Sequence, residues 1–356
     1  MMLPKGGIDY GSGNRRKHAI RLLRQRQRPV KRRPRRGRPA RFGAQEQKVL
    51  ERIWLAGNRP CSRRLKSMIS TWLPFYEQRY HRLTPQIREK LRRISKNTID
   101  RILKPTRSRY GARGRSGTRP GTLLHNQIPI KTAHGNVSEP GFMQADTVAH
   151  CGSSMEGDFV WSLTFTDIFS GWTENRAVWN KGADGVLGQL KDLEEVLPFR
   201  LLGFHSDNGA EFLNHHLHRY STDRQVPIAQ TRGRPHRGND SPHVEQKNWS
   251  HVRLLLGYQR IEDPTLIPRI NDLYRAWALF NNFFCTNLKL IGKEKINSRY
   301  RKTYDDPKTP CQRLMDSDHF NEAQKTYLTE LACNLNPFAL KKQIDHLQRL
   351  ILNTLR

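Results

Sequence analysis

Long apolar runs are missing from this chain: none of its 356 residues falls in a stretch of eighteen or more hydrophobic side chains. A bilayer-spanning helix needs about twenty, so no membrane partner is expected. The opening MMLPKGGIDYGSGNRRK also lacks the apolar block of a secretory signal. Cysteine is sparse and odd in number: Cys61, Cys151, Cys285, Cys311 and Cys333 are too far apart for a metal knuckle. With no export signal they read as free thiols of a reducing cytoplasm. Histidine is equally thin at the N-terminal end, where His81 stands alone between His18 and His125. A paired His/Cys zinc module is therefore excluded there.

Acidic residues are scarcest in the first third. Residues 1–120 hold 35 Lys and Arg against 6 Asp and Glu, whereas the remaining 236 hold 28 against 26. The net charge of +31 is thus concentrated at one end, and a polyanion, DNA, is the partner such a density of Arg serves. The tract RQRQRPVKRRPRRGRPARFG has no clear apolar face, which argues against a membrane surface. Its prolines and self-repulsion describe an arm that does not pack, with Arg32, Arg33, Arg35 and Arg36 as candidate phosphate contacts.

What is present falls into five stretches. Residues 1–43 read as the basic arm, with a short helical pattern from Asn14 to Gln25. Residues 44–104 regain helical periodicity: Val49, Leu50, Ile53, Trp54 and Leu55 fit one buried face, and Leu65, Met68, Ile69 and Trp72 a second. Pro85–Arg92 and Lys96–Leu103, separated by a short break, suit a helix-turn-helix whose leading residues Lys96, Asn97, Thr98 and Arg101 touch DNA. An ordinary helical bundle with a basic surface is the blander alternative. Residues 105–127 are a basic, Arg- and Gly-rich linker. Residues 128–262 alternate strands and helices, and residues 263–356 read as mainly helical.

In the fourth stretch, strands are expected at Gly141–Val148, Phe159–Ile168, Gly171–Trp179, Arg200–His205 and Val226–Gln230. Helices are expected at Ala183–Val196, Glu211–Tyr220 and Ser241–Tyr258. That order describes an α/β core of RNase H-like type, a mixed five-stranded sheet with flanking helices. A basic all-α region precedes it and a mainly helical region follows.

Three acids stand out against this frame. Asp146 lies in QADTV, inside an apolar strand, where a carboxylate is costly unless paired or metal-bound. Asp207 follows LLGFHS and enters the turn Asn208-Gly209, at the strand end where open α/β sheets present ligands. Glu245 sits near the start of a helix that Ser241 caps and Pro242 opens. Glu245, Asn248, Trp249 and Val252 share one α-helical face by spacing, which aims Glu245 at the sheet with the apolar members as anchors. Phosphodiester chemistry by two divalent ions needs acids converging from separate elements in this way.

The segments QADTVAHCG, TFTDIFSGWTE, HSDNGAEF and NDSPHVEQKNW together resemble the integrase-core transposases of bacterial insertion sequences, relatives of retroviral integrases. With its helical flanks the resemblance covers roughly residues 125–350, and RYRKTYDDPKTPCQRLM resembles the tail region of that group. It implies Asp146, Asp207 and Glu245 as catalytic acids holding two Mg²⁺ ions, with Mn²⁺ able to substitute. It further implies a homodimer or higher multimer acting on terminal inverted repeats and target DNA, in a bacterial, nucleoid-associated setting. GSGNRRKHAIRLL resembles a recognition helix of the group without the supporting helices before it, which implies a shortened N-terminus.

Among the remaining candidates, His205 shares the strand face of Asp207 and would steer a DNA phosphate or a metal-bound water; Asn208 and Asn248 are accessory. Arg232, Arg234, Arg237 and Lys247 flank Glu245 as DNA contacts. Asp167 is expected to close a strand turn, and His215, His216 and His218 to face solvent. A transposase, a nuclease of the same fold, and a non-catalytic DNA-binding remnant are the three functions to separate. Inverted repeats beside the gene favour the first, and end binding without metal-dependent cutting the third.

Overall fold

A computed structural model describes residues 41–110, 137–180, 182–206, 215–232 and 242–355, with the side chains of residues 183, 215, 232, 242, 243, 245 and 293 outside the description. The chain divides at Gly43, and Ala44–Arg356 forms one compact unit. The helix expected at residues 14–25 and the arginines Arg32, Arg33, Arg35 and Arg36 lie outside the described residues.

This unit begins with four helices, α1 (Ala44–Ala56), α2 (Ser62–Arg79), α3 (Pro85–Arg92) and α4 (Lys96–Arg109). The apolar faces expected on the first two are buried, Val49, Leu50, Ile53 and Trp54 on α1 and Leu65, Met68, Ile69 and Trp72 on α2, except that Leu55 of α1 is only half-buried. Side-chain caps start the next two. Thr84 accepts from the Ile87 amide ahead of Pro85, and Ser95 accepts from the Thr98 amide at 3.2 Å. Buried Leu91, Ile94, Ile99 and Leu103 fix the short turn between α3 and α4. Helix α4 runs on through Pro105 to Arg109, beyond the expected end at Leu103, because Thr106 is buried and holds the last turns against the bundle.

Five strands follow: β1 (Phe142–Ala149), β2 (Val160–Asp167), β3 (Thr173–Trp179), β4 (Gly203–Ser206) and β5 (Ala229–Arg232). They are ordered β3-β2-β1-β4-β5. β1, β2 and β3 form an antiparallel meander, and β4 and β5 add in parallel on the other side of β1. Crossovers through α5 (Ala183–Val196) and α6 (His215–Thr222) make the parallel pairs. This is the mixed five-stranded sheet with flanking helices of the RNase H-like type expected from sequence. Gly141 opens β1 at φ 115°, and a Cβ there would lie 2.4 Å from the Arg200 carbonyl oxygen. That close approach sets β1 beside the run into β4. The fourth strand is shorter than expected, starting at Gly203 rather than Arg200; the fifth starts at Ala229, with Val226 exposed before it.

Alternation along the strands separates two faces. Register puts Gln144 and Asp146 of β1 on one side with Ser162, Thr164 and Thr166 of β2 and Thr173 and Asn175 of β3. All of these except Asp146 are buried, so this side is a polar layer. The other side carries Met143, Ala145, Leu163 and Phe165, together with a fully buried Arg176 that pairs with Glu174 and with Asp192 of α5. The chain comes back over the polar side as α7 (Pro242–Lys247), a π-helical turn (Asn248–Arg253) and α8 (Leu254–Leu256). Sequence spacing reads one regular helix here, with Trp249 and Val252 as its anchors. Val252 is indeed buried, but Trp249 is 45% exposed. The Leu254 amide donates to the Trp249 carbonyl, five residues back, and the extra residue turns Trp249 outward while His251 goes in.

Helix α9 (Ile267–Phe284) then runs along β3. Asn271 accepts from the Ala177 amide at 2.7 Å and Asn282 from the Thr173 amide at 3.0 Å, so two side-chain amides cover the free edge of an outer strand. A hairpin of β6 (Leu290–Ile296) and β7 (Arg299–Tyr304) interrupts the stretch expected to be helical. Asn297, at φ 55°, makes its tight turn. Helices α10 (Pro310–Met315), α11 (Glu322–Cys333) and α12 (Pro337–Thr354) complete the unit. Leu340, Ile344 and Ile351 of α12 are buried, whereas Leu350 is exposed. Trp72 of α2 donates its Nε1–H to the Phe284 carbonyl and meets Phe280, Phe284 and Phe338 edge-on, joining the N-terminal helices to the C-terminal ones. All five cysteines are free, and among the described residues no helix is long and apolar enough to cross a membrane.

Candidate active site

Asp146 sits at the middle of the central strand, paired in register with Thr164 of β2, and is half-buried. One carboxylate oxygen accepts from the Thr147 amide at 2.8 Å; the other accepts from the Asn248 side-chain amide at 2.6 Å. A charged acceptor makes these bonds stronger than neutral ones, and the second ties the strand to the first residue of the π turn. The other side-chain atom of Asn248, its Oδ1, is buried and has no hydrogen-bond partner. A desolvated amide oxygen without a donor is costly, and beside a carboxylate it is a ligand of the type a hard dication takes.

The other two expected acids are less fully placed. Asp207 and the accessory Asn208 lie outside the described residues, as do Arg234 and Arg237; β4 is described up to Ser206. Glu245 lies on α7, three residues before Asn248, with its side chain outside the description. Among the described residues no group of three or more His, Cys, Asp or Glu side chains converges. Arg232 ends β5, its side chain outside the description. His205 pairs in register with Gln144, on the Asp146 side of the sheet, and is buried with its Nδ1 3.0 Å from the Thr231 hydroxyl.

Asp167 closes the strand turn. Its carboxylate accepts from the Gly141 amide at 2.9 Å and from the amide and hydroxyl of Ser170. Burial raises its pKa despite those bonds. His216 and His218 face solvent as expected. Lys96, Asn97 and Arg101 are exposed at the start of α4, with Thr98 half-buried among them. Lys247 is half-buried beside a cavity.

A polar chain beneath the site carried no signal in the sequence. His150 lies 2.7 Å from the Ser162 hydroxyl, which is 2.6 Å from the Tyr274 hydroxyl of α9. Burial, with Arg253 nearby, pushes the His150 pKa down to about 3, so the ring is neutral. Burial also raises that of Tyr274. The three side chains hold β1, β2 and α9 together next to Asp146, and their partners are more than ten residues apart, beyond any local pattern.

No family model matches the chain. The uncharacterized protein y4rM of Sinorhizobium fredii (strain NBRC 101917 / NGR234) is 35% identical over 309 residues, covering 85% of this chain and 86% of that protein. The crystal structure of the catalytic core domain of BIV integrase is 17% identical, covering 50% of this chain and 96% of that one, at a TM-score of 0.31. That score is too low to carry the fold assignment, which rests on strand order and register.

Proposed function

This chain belongs to the family of the uncharacterized Sinorhizobium fredii protein y4rM, and we propose that it is a DNA transposase of Asp-Asp-Glu type. It cuts the ends of an insertion sequence and joins the freed 3′-hydroxyls to target DNA. One observation carries the reading. Asp146, the acid at the sheet centre, is bonded to Asn248, on the same helical run as Glu245 and three residues after it. The parallel register of β1 with β4 pairs Gln144 with His205 on the Asp146 side of the sheet, and Asp207 follows His205 by two positions in the sequence.

Asp146, Asp207 and Glu245 would hold two Mg²⁺ ions, or Mn²⁺ in their place. Such ions activate an attacking oxygen and stabilise a leaving one. The donor set fits, since a carboxylate and the partnerless Asn248 oxygen are both hard ligands. Asn248 and the Thr147 amide orient the Asp146 carboxylate, and the His150–Ser162–Tyr274 chain keeps the strands beneath it in register. In the first step a water oxygen bonds to phosphorus and the bond to the 3′-oxygen breaks, leaving a 3′-hydroxyl. In the second, that hydroxyl oxygen bonds to a target phosphorus and sheds its proton to solvent, while a target 3′-oxygen leaves and takes a proton from solvent to become a hydroxyl. The basic arm and α4 bind the two DNA partners, and a dimer or larger multimer brings two ends together.

The test uses labelled DNA carrying the ends that flank the gene, with Mg²⁺ or Mn²⁺. Wild type should cut and join, and Asp146→Asn, Asp207→Asn and Glu245→Gln should bind the ends without cutting. Cleavage surviving all three substitutions would sink the assignment, and cutting without joining would favour a nuclease.

A further inference from the structure

A cavity of about 330 Å³ lies between the loop that follows α1, the π turn after α7, and the end of α9. That is near the lower end of the volumes that small-ligand pockets occupy, roughly 300–1,000 Å³. Arg59, Arg64, Lys247, Trp249, His251 and Trp277 are among its walls, and no Asp or Glu appears among the described residues that line it. Three cations therefore face one space with no carboxylate among its described walls. Arg64 donates its Nε–H to the Thr286 carbonyl, a neutral acceptor, and Lys247 lines the same space half-buried. Burial, reinforced by Arg64 and Arg313, pulls the Lys247 pKa down to about 8. Clustered, desolvated cations of this kind call for an anion.

The walls also carry unused hydrogen-bonding atoms beside aromatic faces. Trp277 and His251 are both 3% exposed, and neither the indole Nε1–H nor the histidine Nδ1 has a partner. Their rings meet edge-on at 6.0 Å. His251 is held neutral by burial and by Lys247 and Arg64, so it offers one donor and one acceptor rather than a fourth charge. Trp249, turned outward by the π turn, gives the mouth an exposed indole. Anion-binding groups, a stacking surface and edge donors are the three things a nucleotide requires: a phosphate clamp, a face for the base, and partners for its edge.

We propose that this cavity receives one unpaired nucleotide of a DNA strand, its phosphate held by Arg59, Arg64 and Lys247 and its base placed against Trp249, Trp277 and His251. The inference rests on the transposase reading for its substrate class. The cavity takes its walls from the same π turn that presents Asn248 to Asp146. A nucleotide seated there would anchor the strand against the helical run that carries Glu245 and Asn248.

The test is photo-crosslinking of the full chain, in EDTA, with a single-stranded oligonucleotide carrying 5-iododeoxyuridine, followed by peptide mapping. Adducts are expected on Trp249, Trp277 or His251, and the fully paired duplex should give few. Lys247→Met should lower their yield by about tenfold, the loss of one charge-assisted phosphate contact, with adducts elsewhere unchanged. Arg59→Asn, which keeps a residue tolerant of the left-handed backbone at φ 54°, serves as the second variant should Lys247→Met fold poorly. Adducts confined to other regions, or cavity adducts indifferent to both substitutions, overturn the proposal. No cleavage enters the readout. A failed crosslink therefore leaves the catalytic assignment standing, and the crosslink reports on the cavity separately from any cleavage result.

Discussion

At the scale of single residues, Asn248 is the most telling side chain of the site. Its amide nitrogen serves Asp146 and its oxygen has no partner, an arrangement that makes sense if the oxygen faces a bound cation. Asn248→Ala should raise the Mg²⁺ concentration needed for half-maximal cleavage by about 10–100-fold, the usual penalty for losing a group that orients a metal ligand. Asn248→Asp, which restores an oxygen, should recover most of the loss. A Mg²⁺ titration of cleavage by the three proteins decides it. If alanine and aspartate behave alike, the residue only packs. Sequence singled out Asn248 as accessory because it follows Glu245 by three positions, and the bond to Asp146 gives that spacing its meaning. Spacing said nothing of His150, Ser162 and Tyr274, whose contacts are made only when distant elements meet.

At the scale of elements, most of the core was legible, because the three meander strands and α5 have strong local patterns and obvious turns. Three features were not. The hairpin at residues 290–304 is mostly exposed, so no buried face marks it, and its Asn297 turn is a small signal beside the helices around it. The fourth and fifth strands have only four residues each, and their pairing is decided by neighbouring strands. The π turn depends on one additional residue, which periodicity reads as ordinary helix. That residue has a consequence that deletion can expose. Removing Ser250 should restore regular α-helix without rotating the flanks, because the π turn absorbs the one extra residue; Asn248 and Val252 would then stand three positions apart, still on one face. Cleavage should survive the Ser250 deletion, with helical content by circular dichroism nearly unchanged. Loss of cleavage in a folded deletion variant would show that the register within the π turn is needed.

For the whole molecule, charge is partitioned as sharply as structure. The net charge gathers in the first third, whereas the sheet and the C-terminal helices are close to neutral. Two kinds of DNA contact should therefore be separable: a long-range one from the arm, dependent on salt, and a short-range one at the site, dependent on geometry. Affinity for duplex DNA falls with salt by a logarithmic slope of about 0.9 per neutralised phosphate. Converting Arg32, Arg33, Arg35 and Arg36 together to Gln should flatten that slope by about 3 to 4 units if each arginine meets one phosphate. The same change should scarcely alter crosslinking at the cavity or the metal requirement of cleavage, since neither depends on the arm. Fluorescence anisotropy at four salt concentrations, wild type against the fourfold variant, measures the slope directly. An unchanged slope would mean that these arginines do not touch the backbone and that α4, with its exposed Lys96 and Arg101, carries the phosphate contacts. A flattened slope with cleavage intact at low salt would assign the arm to capture of DNA and leave the chemistry to the sheet.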